Sequence, residues 1–180
     1  MVNLMAKKSK APTVFNIGDK IVYPMHGVGV ISAIEKKTIL NKRTEYYIVS
    51  ITSSGMKVMF PVDNVEGVGI RGIISKRDLK KITEILQRDD IIQEDDWKLR
   101  YQQNIDKVKS GSIFVVAEVV RDLYKRGCVK ELSIMERKHY ENAYQMIMHE
   151  IALVKDMDVE EAGNYLSEIL SANKAKKEEE

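Results

Sequence analysis

The residues of this chain whose type and spacing could carry chemistry are few: one tryptophan, three histidines, one cysteine and two short motifs. Gly67-Val-Gly-Ile-Arg-Gly72 fits the G-x-G-x-x-G string that brings a backbone close to a pyrophosphate. That site needs a buried strand before it and a helix opening on its third glycine inside a βαβ unit. Here a proline-ended strand precedes it and no βαβ pattern follows, so the string predicts a turn. Glu136-x-x-His139 is half of a di-iron pattern, which requires a second such pair and two more inward carboxylates. No second Glu-x-x-His occurs. His26, His139 and His149 lack zinc-ligand spacing; His26 is expected in a turn and the other two at surface or partly buried helix positions. Cys128, being alone, can form neither an internal disulfide nor a thiolate metal site, and is expected as a free thiol near a helix end. With no Walker loop or nucleophile elbow either, the motifs predict a non-enzyme that requires no cofactor and no metal.

The tryptophan carries more information. Trp97 heads the basic stretch Trp97-Lys98-Leu99-Arg100-Tyr101, directly after an acidic break. It lies on one helical stripe with Tyr101, Ile105 and Val108, and a tryptophan on such a stripe is more often core than contact. An aromatic at a helix start beside cations could instead wedge against an exposed base while its neighbours hold phosphates.

The elements that must position these residues fall into two kinds. Asp19–Tyr23 alternates, Gly27–Ile31 is a glycine-bearing strand entry, Thr44–Ile51 is β-branched and aromatic, and Met56–Pro61 is short and ends in proline. Turn signals at Pro24 with His26-Gly27, at Asn41-Lys42 and at Ser53-Ser54-Gly55 separate them. About five short strands at this spacing predict a small SH3- or Tudor-like antiparallel β-barrel. Its strand edges could be extended by another protein.

From residue 75 the period becomes helical. Ser75-x-x-Asp78, Ser133-x-x-Glu136 and Asp158-x-x-Glu161 are capping-box signals in front of apolar stripes, and Ser110-Gly111 closes the tryptophan helix. Ser112 is expected to cap a helix from Ile113 to Arg126 that stops at Gly127. The fold class is therefore α+β, with a compact all-helical C-terminal domain after the barrel.

Charge is unevenly distributed along the 180 residues, whose net charge is only +2. Residues 1–86 hold 14 Lys+Arg against 7 Asp+Glu, residues 97–138 hold 10 against 5, and residues 139–180 hold 4 against 10. A basic surface followed by an acidic end fits a nucleic-acid contact confined to one part of the molecule, or else ordinary solvated faces. No run approaches the roughly 18 apolar residues of a membrane helix, and the Lys-rich opening lacks a signal-peptide core, which predicts a cytoplasmic protein.

From Phe15 to Leu170 the chain resembles the CarD/CdnL-like bacterial transcription regulators. The blocks that carry the resemblance begin with Gly18-Asp-Lys-Ile-Val-Tyr-Pro24, His26-Gly-Val28, Gly55-Met-Lys-Val-Met-Phe-Pro61 and Val68-Gly-Ile-Arg71. In the second half they are Trp97-x-x-Arg100-Tyr101, Gly111-Ser112, Ala117–Leu123 and Leu132-Ser133-x-x-Glu136-Arg137.

The resemblance implies a Tudor-like domain that binds the RNA polymerase β subunit through a strand edge, with Val49, Met59 and Pro61 in the contact and Lys37 nearby. It also implies a helical domain whose Trp97 wedges into the minor groove of promoter DNA at the upstream edge of the bubble, with Arg100 and Arg137 as phosphate contacts. Lys107 and Lys109 are added as DNA contacts from local charge alone. Leu99 and Gln102 stand where relatives often carry further cations, so DNA binding by the isolated protein is expected to be weak, with a shallow salt slope.

The expected organisation is a basic tail (1–12), a polymerase-interacting domain (13–74), a helix with an acidic linker (75–93), a DNA-contacting helical domain (94–172) and a charged tail (173–180), in a monomer. The rival functions are a sequence-nonspecific DNA binder and a protein adaptor with no DNA role.

Overall fold

The computed structural model describes residues 15–39, 41–89 and 96–177. The two expected tails and most of the acidic linker fall largely outside them. Five antiparallel strands come first: β1 (Lys20–Tyr23), β2 (Gly27–Ile39), β3 (Lys42–Ile51), β4 (Lys57–Pro61) and β5 (Arg71–Gly72), in the sheet order β4-β3-β2-β1-β5. The ends of that order are not hydrogen-bonded to each other, so the expected barrel is an open sheet with β4 and β5 at its edges. Alternation along β3 buries Tyr47, Val49 and Ile51 on one face, as the two-residue strand period requires. They pack with Ile21, Ile31 and Phe60. The Tyr47 hydroxyl accepts from the Phe15 amide at 3.0 Å and donates to the Phe15 carbonyl at 3.1 Å, which fixes the entry of the chain.

β2 runs eight residues beyond the expected Ile31, past a bulge between Ile31 and Ala33. Its outer half pairs with β3 as a ribbon carrying Glu35, Lys36 and Lys37, with little buried apolar surface and hence little sequence signal. The G-x-G-x-x-G string is a turn, as expected: α1 (Val65–Val68) ends on Gly69, whose φ of 77° closes it, and β5 follows.

Helices α2 (Lys76–Leu86), α3 (Trp97–Lys109), α4 (Ile113–Val129), α5 (Ile134–Lys155) and α6 (Val159–Lys177) complete the fold. Capping boxes at Ser75/Asp78 and Ser133/Glu136 open α2 and α5 where the sequence placed them, and reciprocal bonds between Asp158 and Glu161 open α6. α2 packs into the helical core: Leu79, Ile82, Ile85 and Leu86 are buried with residues of α4, α5 and α6. Gly127 does not stop α4, which continues to Val129. A Cβ at that glycine would stand in ordinary van der Waals contact with Leu132 Cδ1, at 3.7 Å. Among the described residues no helix is long and apolar enough to cross a membrane.

Candidate polymerase and nucleic-acid interfaces

β4 offers the sheet edge that strand extension by a partner needs. Among the described residues it pairs with β3 alone, with Met59 opposite Ile48 and Val58 opposite Val49. Met59 is 47% exposed while the next residue, Phe60, is buried, so the strand turns one face inward and one outward. Pro61 ends it, half-buried and without an N–H to donate. Val49 is corrected from contact to core: it is 0% exposed on a strand enclosed between β2 and β4, because its parity matches Tyr47 and Ile51. Lys37 lies on the outer half of β2, in the two-stranded ribbon beyond the reach of β1 and β4, with its Nζ 3.3 Å from Glu35.

Trp97 is the first residue of α3 and is 49% exposed. The Asp96 carboxylate caps the helix, accepting from the amides of Lys98 at 2.8 Å and Leu99 at 3.4 Å. That satisfies two of the orphan donors of the first turn. Lys98 Nζ sits 5.8 Å from the indole centroid, and Leu99 is exposed beside it. The stripe the sequence suggested is buried only in part. α3 buries Arg100, Asn104 and Val108, Tyr101 and Ile105 are half-buried, and Trp97, at the first position of the helix, is left at the rim instead of in the core.

Arg100 is the second correction. It is 7% exposed, and its Nε and Nη2 donate to Glu136 Oε1 at 2.8 and 2.5 Å. Glu136 Oε2 accepts from the Ser133 amide at 3.1 Å and from its hydroxyl at 2.9 Å. One carboxylate therefore closes the capping box of α5 and anchors the first turn of α3. Burial works to raise the Glu136 pKa, but the bonds from Arg100 and Ser133 outweigh it and hold the carboxyl below its ordinary value. The same two groups occupy both Glu136 oxygens. A guanidinium committed to this acid is a brace behind Trp97, not a surface phosphate contact. His139, one turn on, is buried against Tyr101 with ring centroids 5.9 Å apart, deeper than the sequence suggested. Its enclosure lowers the imidazole pKa, opposed in part by a bond to the Asn104 backbone.

The other basic candidates divide by position. Arg137 is exposed next to Glu136, at the end of the bundle that carries Trp97, and bonds Glu131 at 3.0 Å. Lys107 and Lys109 lie ten and twelve residues along α3 from Trp97, or roughly 15 and 18 Å at 1.5 Å per residue. The structure does not bring them to the tryptophan end. Lys107 faces Glu118 at 4.0 Å.

Two further residues escaped the sequence reading as a pair. Arg71, on β5, donates from Nη1 and Nη2 to both carboxylate oxygens of Glu150 on α5, at 2.8 and 2.6 Å, and from Nε to the Gly111 carbonyl at 2.8 Å. Glu150 is 1% exposed, although nothing in its helical surroundings marks it as more than a surface acid. The signal available for Arg71 was its place inside the Gly67–Gly72 turn string and the Val68–Arg71 block.

Comparison with known proteins divides the chain as the fold does. Residues 15–74 match the CarD-like/TRCF RID domain and residues 81–167 match the CarD C-terminal domain. The chain is similar to the Bacillus subtilis (strain 168) protein described as "Putative transcription factor YdeB", with 41% identity over 141 residues, 78% of this chain and 92% of that one.

Proposed function

The chain belongs to the CarD-like family of transcription factors, and from that premise we propose that it binds the RNA polymerase β subunit through the β4 edge and stabilises the promoter open complex with Trp97. The observation that carries this reading is the half-exposed indole at a capped, braced helix start, with Lys98 against it and Arg137 at the same end of the bundle. Exposed Met59 on an unpaired strand edge supports the polymerase contact, by main-chain pairing with a side-chain anchor.

The mechanism is differential binding. A ring that fits distorted or unpaired DNA at the upstream edge of the bubble binds the open complex better than the closed one, and shifts the equilibrium by the difference. Few cations surround Trp97, so the DNA contact alone is weak. Delivery by polymerase makes it effectively intramolecular, at an effective concentration of about a millimolar.

Losing a stacking aromatic costs roughly 1–3 kcal/mol, about five- to a hundredfold in open-complex lifetime. Trp97→Ala is expected to shorten that lifetime while polymerase still captures the protein, and Met59→Glu to abolish capture with the helical domain folded. Lifetimes are read by competitor challenge and capture by co-purification. An unchanged lifetime for Trp97→Ala refutes the wedge.

A further inference from the structure

The sheet and the helices meet through one arginine. Arg71 lies on β5, the edge strand opposite β4, and its guanidinium reaches both halves of the helical domain that matter for Trp97. One side of the fork is bidentate to Glu150 on α5, with Nη1 also donating to the Gly72 carbonyl; the Nε–H reaches the carbonyl of Gly111, in the turn that ends α3, the helix that begins with Trp97. Glu150 also accepts from the Ile74 amide at 3.4 Å, so its oxygens face the sheet domain's exit on two sides. Bidentate arginine–carboxylate geometry fixes direction as well as distance, which a lysine cannot do.

The backbone contact beside this clamp is equally close. Gly111 has φ +75°, and a Cβ there would stand 2.9 Å from the Gly69 carbonyl and 3.5 Å from Pro24. Two turns, one from each domain, thus touch without side chains between them, within one hydrogen bond of Arg71. Contacts between domains of one chain ordinarily leave relative motion. Here an ion pair from half-buried Arg71 to buried Glu150 and a glycine-on-carbonyl contact restrain it.

We propose that Arg71 is a positioning residue for the Trp97 wedge, joining β5 to Glu150 and to the Gly111 turn so that a protein held at its β4 edge presents the indole at one fixed place. The inference rests on the polymerase-tethered reading above. It adds that the tether is stiff: a rigid link concentrates the ring where the bubble edge lies, whereas a loose one spreads it over a larger volume.

The test uses the full chain with RNA polymerase and promoter DNA. Arg71→Met combined with Glu150→Gln removes the clamp without stranding a buried charge, and Arg71→Lys keeps the charge without the fork. The unclamped protein should bind polymerase as wild type does, yet shorten open-complex lifetime about threefold to tenfold. Added to Trp97→Ala it should shorten the lifetime no further, because Arg71 acts through that ring; Arg71→Lys should fall between.

A spin label on the exposed Cys128 and one on Lys42→Cys report the geometry directly. Their distance distribution should broaden in the unclamped protein. A lifetime unchanged by unclamping, while Trp97→Ala shortens it, overturns the inference and leaves the wedge standing. If Trp97→Ala itself has no effect, the wedge fails and the distance distribution alone decides whether Arg71 sets the domain angle, with an unbroadened distribution overturning it. Should the combined variant not fold, Glu150→Gln alone and Arg71→Lys carry the same readouts.

Discussion

Replacing Arg100 by methionine separates two roles for that arginine. As a phosphate contact it would be a surface group whose loss leaves stability within about 0.5 kcal/mol and lowers the slope of log K against log salt by about 0.9. As a brace it is one half of a buried pair. Removing it leaves Glu136, 3% exposed, with only the Ser133 bonds on Oε2 and nothing from Arg100 on Oε1. Breaking a buried pair from one side typically costs 3–5 kcal/mol, and the surviving Ser133 bonds put the expectation near the lower end, about 3 kcal/mol. Against a total stability of about 5–15 kcal/mol this is a large fraction. Adding Glu136→Gln removes the stranded charge and should recover most of the loss. Urea denaturation followed by circular dichroism gives the first quantity, and titration of a forked promoter duplex across salt gives the second. A variant as stable as wild type whose salt slope drops by about one would refute the brace and restore Arg100 to the DNA surface.

Acid should weaken the helical domain in two steps. His139 has its folded pKa depressed below the ordinary 6.5, so the unfolded state binds more protons; stability is full above 6.5 and falls as pH drops toward the folded value. Glu136, depressed from 4.5, adds a second loss below that pH. His139→Gln should flatten the first step and Arg100→Met/Glu136→Gln the second, in urea titrations from pH 8 to 3; an upper step that persists without His139 rules out its assignment. Gly111→Ala should destabilise more than Gly55→Ala. Both adopt positive φ, costing about 1–2 kcal/mol with a side chain, but only at Gly111 does the new Cβ meet a backbone carbonyl. Equal losses would deny the close approach of the two turns.

What the sequence made legible was local. Ser75 with Asp78 and Ser133 with Glu136 announce helices because both partners of a capping box lie within four residues. β3 announces itself because Tyr47, Val49 and Ile51 alternate; the outer half of β2 does not, because a ribbon solvated on both faces has no apolar period. Arg100 and Arg71 were misjudged or missed for one reason. A charged residue looks like surface until its partner is known, and the partners lie 36 and 79 residues away. Trp97 shows the complementary error: an apolar stripe through Tyr101 and Ile105 suggests burial, yet the ring stands on the first residue of α3, at the end of the helix, and is half-exposed. The resemblance in blocks across both halves pointed to a candidate site, while the packing behind each candidate residue needed coordinates.

Both arginine–glutamate pairs end on the same helix, and their spacing gives them one mechanical meaning. Glu136 and Glu150 lie fourteen residues apart on α5, about 21 Å at 1.5 Å per residue. α3, thirteen residues long, spans about 20 Å, so the two acids are separated by its length. Arg100 ties the first turn of α3 to Glu136, and Arg71, held by Glu150, ties the turn after its end. The helix that starts with Trp97 is therefore fixed at both ends to α5, and at its far end to the sheet as well. Losing the Arg100 tie should let the indole end sway while the domain angle holds; losing the Arg71 tie should let the angle drift while the first turn of α3 stays tied to α5. The labels at Cys128 and Lys42→Cys distinguish these cases, since only the second widens the distance between them.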